Sequence, residues 1–443
     1  AYDNYYHRVF KVTNAQIEHF KSFSVPVPVS QIDSNIWKWP AKGNPFIATN
    51  YGVNINSPLA PFVDVDGDQI YNPEHGDYPA ICGDEAVFFV FNDVRGPHGA
   101  TNTPNKLGFE IRGMAEVYSD SSSPDFTYEK RALNNTVFVN YEIENKSQES
   151  YYGFYLGLWE DPDLGCYRND RVGCDTVRNL MFVYNGTTPD LDCQGEQGYY
   201  PYQASHGVIM LNHNMSAFGY FANGSNPSMS DPGVCLQYRY YMQGLWLDGT
   251  PFTNGDLGYN IGGVATKFLF PGDPNDPTQW SEVGQGVTLS AGDRRMFGSI
   301  GPTTFNAGEI KHFDFAFTTS YDSTATMFTI VDTLKRDADI VQQFYNNQIV
   351  SCKAQLATGI NEISVDNNLK ISLFPNPANT VLNISANGLQ TEQISIYNTD
   401  GKLVSDTKQP RNNRIDISRL ATGIYIAEIT VKGIIQRVRW VKM

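Results

Sequence analysis

The chain has 443 residues with 41% hydrophobic and 13% aromatic content, enough for two or three folded domains and too apolar for wholesale disorder. A net charge of −15 excludes nucleic acid and anionic membrane surfaces as partners, and no run of eighteen apolar residues is present to cross a bilayer as a helix. The charge is uneven: from Asp366 onward ten Lys/Arg face six Asp/Glu, leaving 22 against 41 in the preceding residues, so an acidic body carries a basic tail with a separate task.

The opening AYDNYYHRVF has no cationic start followed by an apolar block, so it reads as a mature or trimmed chain without a signal peptide. Residues 11–23, KVTNAQIEHFKSF, set Thr13 three positions before Gln16, a capping box that predicts a short helix. Next comes VDVDGDQIYNPEHGDYP, which crowds Asp64, Asp66, Asp68, Glu74 and Asp77 together. Carboxylates held ~4 Å apart repel by roughly 4 kcal/mol per pair at an effective dielectric of about 20. Asp64, Asp66 and Asp68 occupy positions 1, 3 and 5 of a calcium-type loop, with the Ile70 carbonyl at position 7 and Glu74 or Asp77 to close the shell. Position 6 holds Gln69 where an EF-hand has glycine. Structural Ca2+ is the expected occupant; the alternative is a solvated acidic turn.

From 85 to 160 the runs EAVFFVFND, LGFEIRGMAEVYS, VFVNYEIEN and YYGFYLGLWED predict β-strands, and short strands with polar loops continue from 176 to 320. A second acidic group, Asp161, Asp163, Asp170 and Asp175, surrounds CYRNDRVGC; Ca2+ is one partner for it, and Arg168 and Arg171 are rivals. Asp273 and Asp276 in PGDPNDP read as a Pro-fixed turn. Met327, Ile330, Val331, Leu334, Ala338, Val341 and Tyr345 form one apolar stripe, predicting a long helix over 324–346 packed on a sheet. Residues 352–368 read as a linker between a body (1–351) and a small C-terminal domain (369–443) of about seven short strands. The fold class is therefore mainly β: a β-sandwich-rich body with one long and one short helix, and a C-terminal seven-stranded immunoglobulin-like sandwich.

Six cysteines, Cys82, Cys166, Cys174, Cys193, Cys235 and Cys352, form no CxxC pair. Disulfides are expected, Cys166–Cys174 first, with the pairing of the other four open. No GxSxG, HExxH or Cys/His nucleophile signature appears, and His206 and His213 read as surface or packed residues, so the residues lean away from catalysis. The rings of GYYPYQ (198–203) suit sugar stacking or core packing.

FPNPANTVLNI, ISIYNTDGKLV, LATGIYIAEI and the basic end RVRWVKM, in that order, resemble the type A C-terminal sorting domain of the type IX secretion system of Bacteroidota. The resemblance implies export to the outside of the cell or its outer surface, with the secretion machinery as partner. The body, through APFVDVDGDQIYNPEHGDYP, GDEAVFFVFND and YYGFYLGLWEDPDLG, is similar to large secreted proteins with the same tag, which carry a further β-rich segment ahead of the point where this chain begins. Three triplets, Asp175-Thr176-Val177, Asp322-Ser323-Thr324 and Asp332-Thr333-Leu334, resemble the Asp-Ser/Thr-apolar O-glycosylation acceptor pattern of these bacteria. Together these features predict a calcium-stabilised, secreted or surface-bound structural or adhesive protein, able to assemble with its own copies into a layer or filament. The alternative is a secreted protein that binds or hydrolyses a surface glycan.

Overall fold

The computed structural model of the chain describes residues 8–94, 105–119, 128–221, 226–284, 286–287, 289–358, 371–374, 376, 378–386, 389–398, 402–431 and 434–443. It divides into two compact units, residues 1–359 and 360–443. The strands of the first are β1 (Phe10–Thr13), β2 (Phe62–Val63), β3 (Tyr78–Pro79), β4 (Glu85–Asn92), β5 (Phe109–Val117), β6 (Thr136–Asn145), β7 (Tyr151–Glu160), β8 (Asp170–Asp175), β9 (Leu180–Asn185), β10 (Gln203–Met210), β11 (Ala217–Phe221), β12 (Arg295–Phe305) and β13 (Ile310–Asp322). Its helices are α1 (Asn14–Lys21), α2 (Ser34–Trp37), α3 (Pro45–Tyr51), α4 (Tyr128–Asn134), α5 (Cys235–Met242), α6 (Thr329–Phe344) and α7 (Val350–Thr358).

An eight-stranded antiparallel sheet in the order β1-β4-β5-β6-β13-β10-β9-β8 forms the centre of the body. Helix α6 covers one face, where Ile330, Val331, Leu334, Ala338 and Val341 meet Phe138, Leu180, Phe182, Tyr184 and Ala316. The other face carries Val172, Met181, Val183 and Val208 into a second core with the three-stranded sheet β11-β12-β7 and the aromatic residues Phe218, Trp246, Phe252 and Phe297. Strand β9, LMFVYN, is buried at every position because its alternate side chains feed these two cores. A third core near the sheet edge gathers Val12, Ile17, Phe20, Trp39, Tyr71 and Phe88.

Helix α1 starts from the capping box: the Gln16 amide donates to Thr13 Oγ1 (3.2 Å), and Thr13 N–H donates to Gln16 Oε1 (3.0 Å). The body has more helices than the two expected. Asp33 caps α2 through Asn35 N–H (2.8 Å), and Asn44 caps α3 through Phe46 N–H (2.8 Å), with Pro45 in the first turn. These one- and two-turn pieces are too short to show a period. The long helix also continues further, through a π-turn at Tyr345–Ile349 into α7. Residues 352–358, expected as linker, are therefore helical; the remainder of that stretch, 359–368, lies outside the described residues.

The second unit has seven described strands: β14 (Ile371–Phe374), β15 (Val381–Ala386), β16 (Gln393–Asn398), β17 (Leu403–Lys408), β18 (Arg414–Asp416), β19 (Gly423–Val431) and β20 (Ile434–Lys442). They form sheets β14-β15-β18 and β17-β16-β19-β20. Leu382, Ile384, Ile394, Ile396, Ile415, Ala427, Ile429 and Trp440 make its core, with the Trp440 ring stacked on Tyr425 at 5.3 Å between centroids. The Asn-Thr-Asp-Gly turn at 398–401 falls mostly outside the described residues.

Candidate metal-binding loops and the sorting domain

The first acidic segment is the loop of a two-rung hairpin, β2 against β3, with Phe62 opposite Pro79 and Val63 opposite Tyr78. Tyr71, fully buried, pins the loop to the third core by donating its hydroxyl to the Ile36 carbonyl (2.6 Å). Gln69 takes a φ of +63°, so this side chain adopts the left-handed backbone that glycine supplies in an EF-hand. Asp64 accepts from Gly67 N–H and Gln69 N–H (both 2.8 Å), Asp68 from Ile70 N–H (2.7 Å), and Asp77 from Val65 N–H and Asn72 N–H (both 2.8 Å). Backbone donors thus offset part of the repulsion.

Oxygens of Asp64, Asp66 and Asp77 lie within 4.8 Å of one another, as do ligand atoms of Asp66, Asp68 and His75. Burial pushes the Asp77 carboxyl up to about 6, against its two backbone donors, and the charges of Asp64 and Asp66 push the same way. Asp66 pays some desolvation, but Asp68 N–H and the His75 ring, whose Nδ1 is 2.9 Å from Oδ2, hold its carboxyl below the ordinary range. Glu74 is in neither group: it sits in a 3₁₀ turn, its N–H donating to Asn72 Oδ1 (3.1 Å). His75, not Glu74, lies within reach of Asp66 and Asp68. Ile70 is exposed beside Asp68.

The second acidic group separates into three. Asp161 and Asp163 join Asp293, which sequence spacing did not single out, with ligand oxygens within 4.8 Å. Arg295 approaches Asp161 (3.3 Å) and Asp293 (2.9 Å) and already compensates this group. Desolvation nevertheless raises the Asp161 carboxyl. Asp175, at the far end of β8, pairs with Arg178 (2.7 Å). Asp170, at the start of β8, is fully buried and accepts from Leu164 N–H (3.1 Å). The expected rivals are engaged elsewhere: Arg171 faces Glu282 (3.7 Å), and Arg168 lies over the Tyr167 ring. Asp273 and Asp276 do form a turn, accepting from Asn275 N–H and Thr278 N–H (both 2.9 Å).

The expected Cys166–Cys174 bridge is replaced by Cys166–Cys193, with Cα atoms 5.6 Å apart. Cys174 lies within β8, whose extended run carries it away from Cys166, and its thiol points into the core, donating to the Leu269 carbonyl (3.5 Å). Cys82 pairs with Cys352, and Cys235 is a free, exposed thiol. Thr176 and Ser323 are exposed. Thr333 is buried inside α6 with its hydroxyl on the Thr329 carbonyl (3.5 Å), which closes it to modification in the folded chain. His206 bonds Thr319 Oγ1 (2.9 Å), and His213 bonds the His312 carbonyl (2.9 Å), both structural roles. In GYYPYQ, the Tyr199 ring lies tilted against Tyr321 while Tyr200 and Tyr202 are exposed.

Among known proteins, the chain shows 25% identity over 234 residues to a glucan endo-1,3-beta-glucosidase A1 of Niallia circulans, covering 45% of this chain. The match spans about a third (32%) of that relative's length. A polysaccharide lyase of known structure aligns over 90% of this chain and 42% of its own at 8% identity and a TM-score of 0.21, a likeness that defines no shared fold. Residues 372–442 match the family described as the secretion system C-terminal sorting domain. The ordered strand motifs, the basic end and this match agree: residues 372–442 are a type IX C-terminal sorting domain, and the chain that carries it is a secreted or outer-surface protein.

Proposed function

We propose that this exported chain is a structural or adhesive protein of the cell exterior, rigidified by Ca2+ at the hairpin loop 64–77. The observation that carries this reading is the convergence of Asp64, Asp66 and Asp77 oxygens within 4.8 Å on a loop whose position 6 is left-handed. A hard dication with oxygen ligands offsets the charge that backbone donors leave. Assembly is supported by β7, the outer strand of the three-stranded sheet, which is ten residues long and exposes Tyr152 (79%) and Trp159 (53%). The test is negative-stain microscopy and thermal unfolding in calcium and then in chelator. Ordered multimers and a higher Tm in calcium are expected. Monomers in both conditions would remove the assembly reading, and an unchanged Tm would remove structural calcium.

A second reading, glycan binding or hydrolysis, is supported by the likeness to the glucan endo-1,3-beta-glucosidase and by the exposed rings of Tyr200 and Tyr202. Incubation with insoluble β-1,3-glucan separates the outcomes. Sedimentation with the polymer supports binding, release of reducing sugar supports hydrolysis, and neither ends this reading.

A further inference from the structure

A buried polar cluster where β8 starts and β9 ends has oxygens that, among the described residues, lack a partner at hydrogen-bond geometry. Asp170 and Asn185 are register partners across β8 and β9, so their side chains share one face of the sheet. Both are 0% exposed, as is Asp190 a few residues further on. The side chains of Asn169 and Asn185 and the N–H of Cys166 approach the Asp190 carboxyl, and Asp170 lies close enough to feel its charge. The backbone is shaped around these groups. A Cβ at Gly165 (φ +63°) would fall 2.5 Å from Asp190 Oδ2, and one at Gly198 2.6 Å from the Asp190 carbonyl oxygen. Tyr199 N–H donates to Asp190 Oδ2 (2.8 Å), and the Cys166–Cys193 bridge ties together the two segments that supply the cluster.

Asp170 Oδ1, Asp190 Oδ1, Asn169 Oδ1 and both polar atoms of Asn185 are buried without a partner at hydrogen-bond geometry. Native interiors leave few such atoms, and four of these five are oxygens, the atoms that can take a cation. The nearby cation does not supply it: the Arg294 guanidinium is committed to Glu282 (2.9 and 2.7 Å) and to the Ser290 carbonyl. Burial drives the Asp170 carboxyl up to about 9 against the lowering charge of Arg294, and raises Asp190 against its hydrogen-bond donors.

We propose that Asp170, Asp190, Asn169 and Asn185 form an interior site for a calcium-class divalent cation, separate from the hairpin loop 64–77. The donors are all oxygens with two formal negative charges, a hard set without the nitrogen or sulfur that zinc favours. A fully buried site lined by amide and carboxylate oxygens also suits Ca2+ better than Mg2+, which keeps several waters. Bound there, the ion would join the 163–170 segment, the end of β9 and the 190–199 loop at one point.

The test is calorimetric titration of CaCl2 into the full chain after chelator treatment, with Tm measured in calcium and in EDTA. Asp64→Asn with Asp66→Asn supplies a background in which the hairpin loop is disabled. In that background a calcium-binding event and a calcium-dependent rise in Tm should persist, and adding Asp190→Asn should weaken the affinity at least tenfold and abolish the rise. Unaltered binding in the Asp190→Asn chain, or no binding and equal Tm values in the background itself, overturns the proposal. Should Asp190→Asn fail to fold, Asn185→Asp carries the test. A third carboxylate should raise calcium affinity at least tenfold and lower the Tm in EDTA; unchanged affinity overturns the site.

Discussion

The Glu282 carboxylate and the Arg294 guanidinium form an interior ion pair, with Oε1 receiving both Nε (2.9 Å) and Nη2 (2.7 Å), while Oε2 receives Val172 N–H at 2.7 Å. The pair anchors the loop ahead of β12 to the edge strand β8. Removing one member leaves the other charged and buried, so Glu282→Ala is expected to cost about 3–5 kcal/mol. Replacing both together with apolar residues should cost less. Chemical denaturation of the single and double variants measures the difference.

The Cys82–Cys352 bridge links residues 270 apart in sequence, joining the loop before β4 to α7. Closing so long a loop restricts the unfolded chain, and Cys82→Ser with Cys352→Ser is expected to lower stability by about 2–5 kcal/mol. Peptide mapping without reduction checks the pairing itself: fragments joined through Cys166 and Cys193 are expected, with Cys174 and Cys235 recovered as thiols.

Asp248 supplies a pH dependence with a defined sign. Desolvation raises its carboxyl, but donation from Thr250, Tyr259 and Ser228 outweighs that and holds it at about 2. An unfolded aspartate titrates near ~3.9, so the contribution is complete above about pH 4 and is lost as the pH falls towards 2. Because Asp248 is exposed, screening limits it to about 1 kcal/mol. Urea unfolding of Asp248→Asn and the parent chain should differ at pH 6 and converge near pH 2.

Asp77 holds the hairpin loop by accepting Val65 N–H and Asn72 N–H, whatever ion is present. Asp77→Ala leaves both donors without their acceptor, with an expected loss of about 1–3 kcal/mol. The loss should be concentrated locally, so limited proteolysis should cut within 64–77 faster in the variant even in EDTA.

Features set by neighbouring residues were legible in the sequence. The Thr13–Gln16 box, the stripe from Ile330 to Val341 and the strand motifs of the sorting domain all act over a few positions, and local pattern reports them. The acidic hairpin loop was legible as a group because Asp64, Asp66 and Asp77 are close in the chain. Chain proximity misled where an extended strand intervenes: β8 carries Asp175 and Cys174 away from the residues they were grouped with. Asp293, Asp190 and Cys193 reach their partners only through sheet pairing and loop return, which no spacing encodes. His75 was the one missed neighbour within reach of reading, nine residues from Asp66 in a turn that Pro73 begins.

The bond between Cys82 and Cys352 makes most of the body a covalent circle. A protease that severs one exposed turn inside that circle opens it into a line and releases nothing. A protein stationed outside the cell, where it cannot be resynthesised in place, can therefore absorb a first scission as a single molecule.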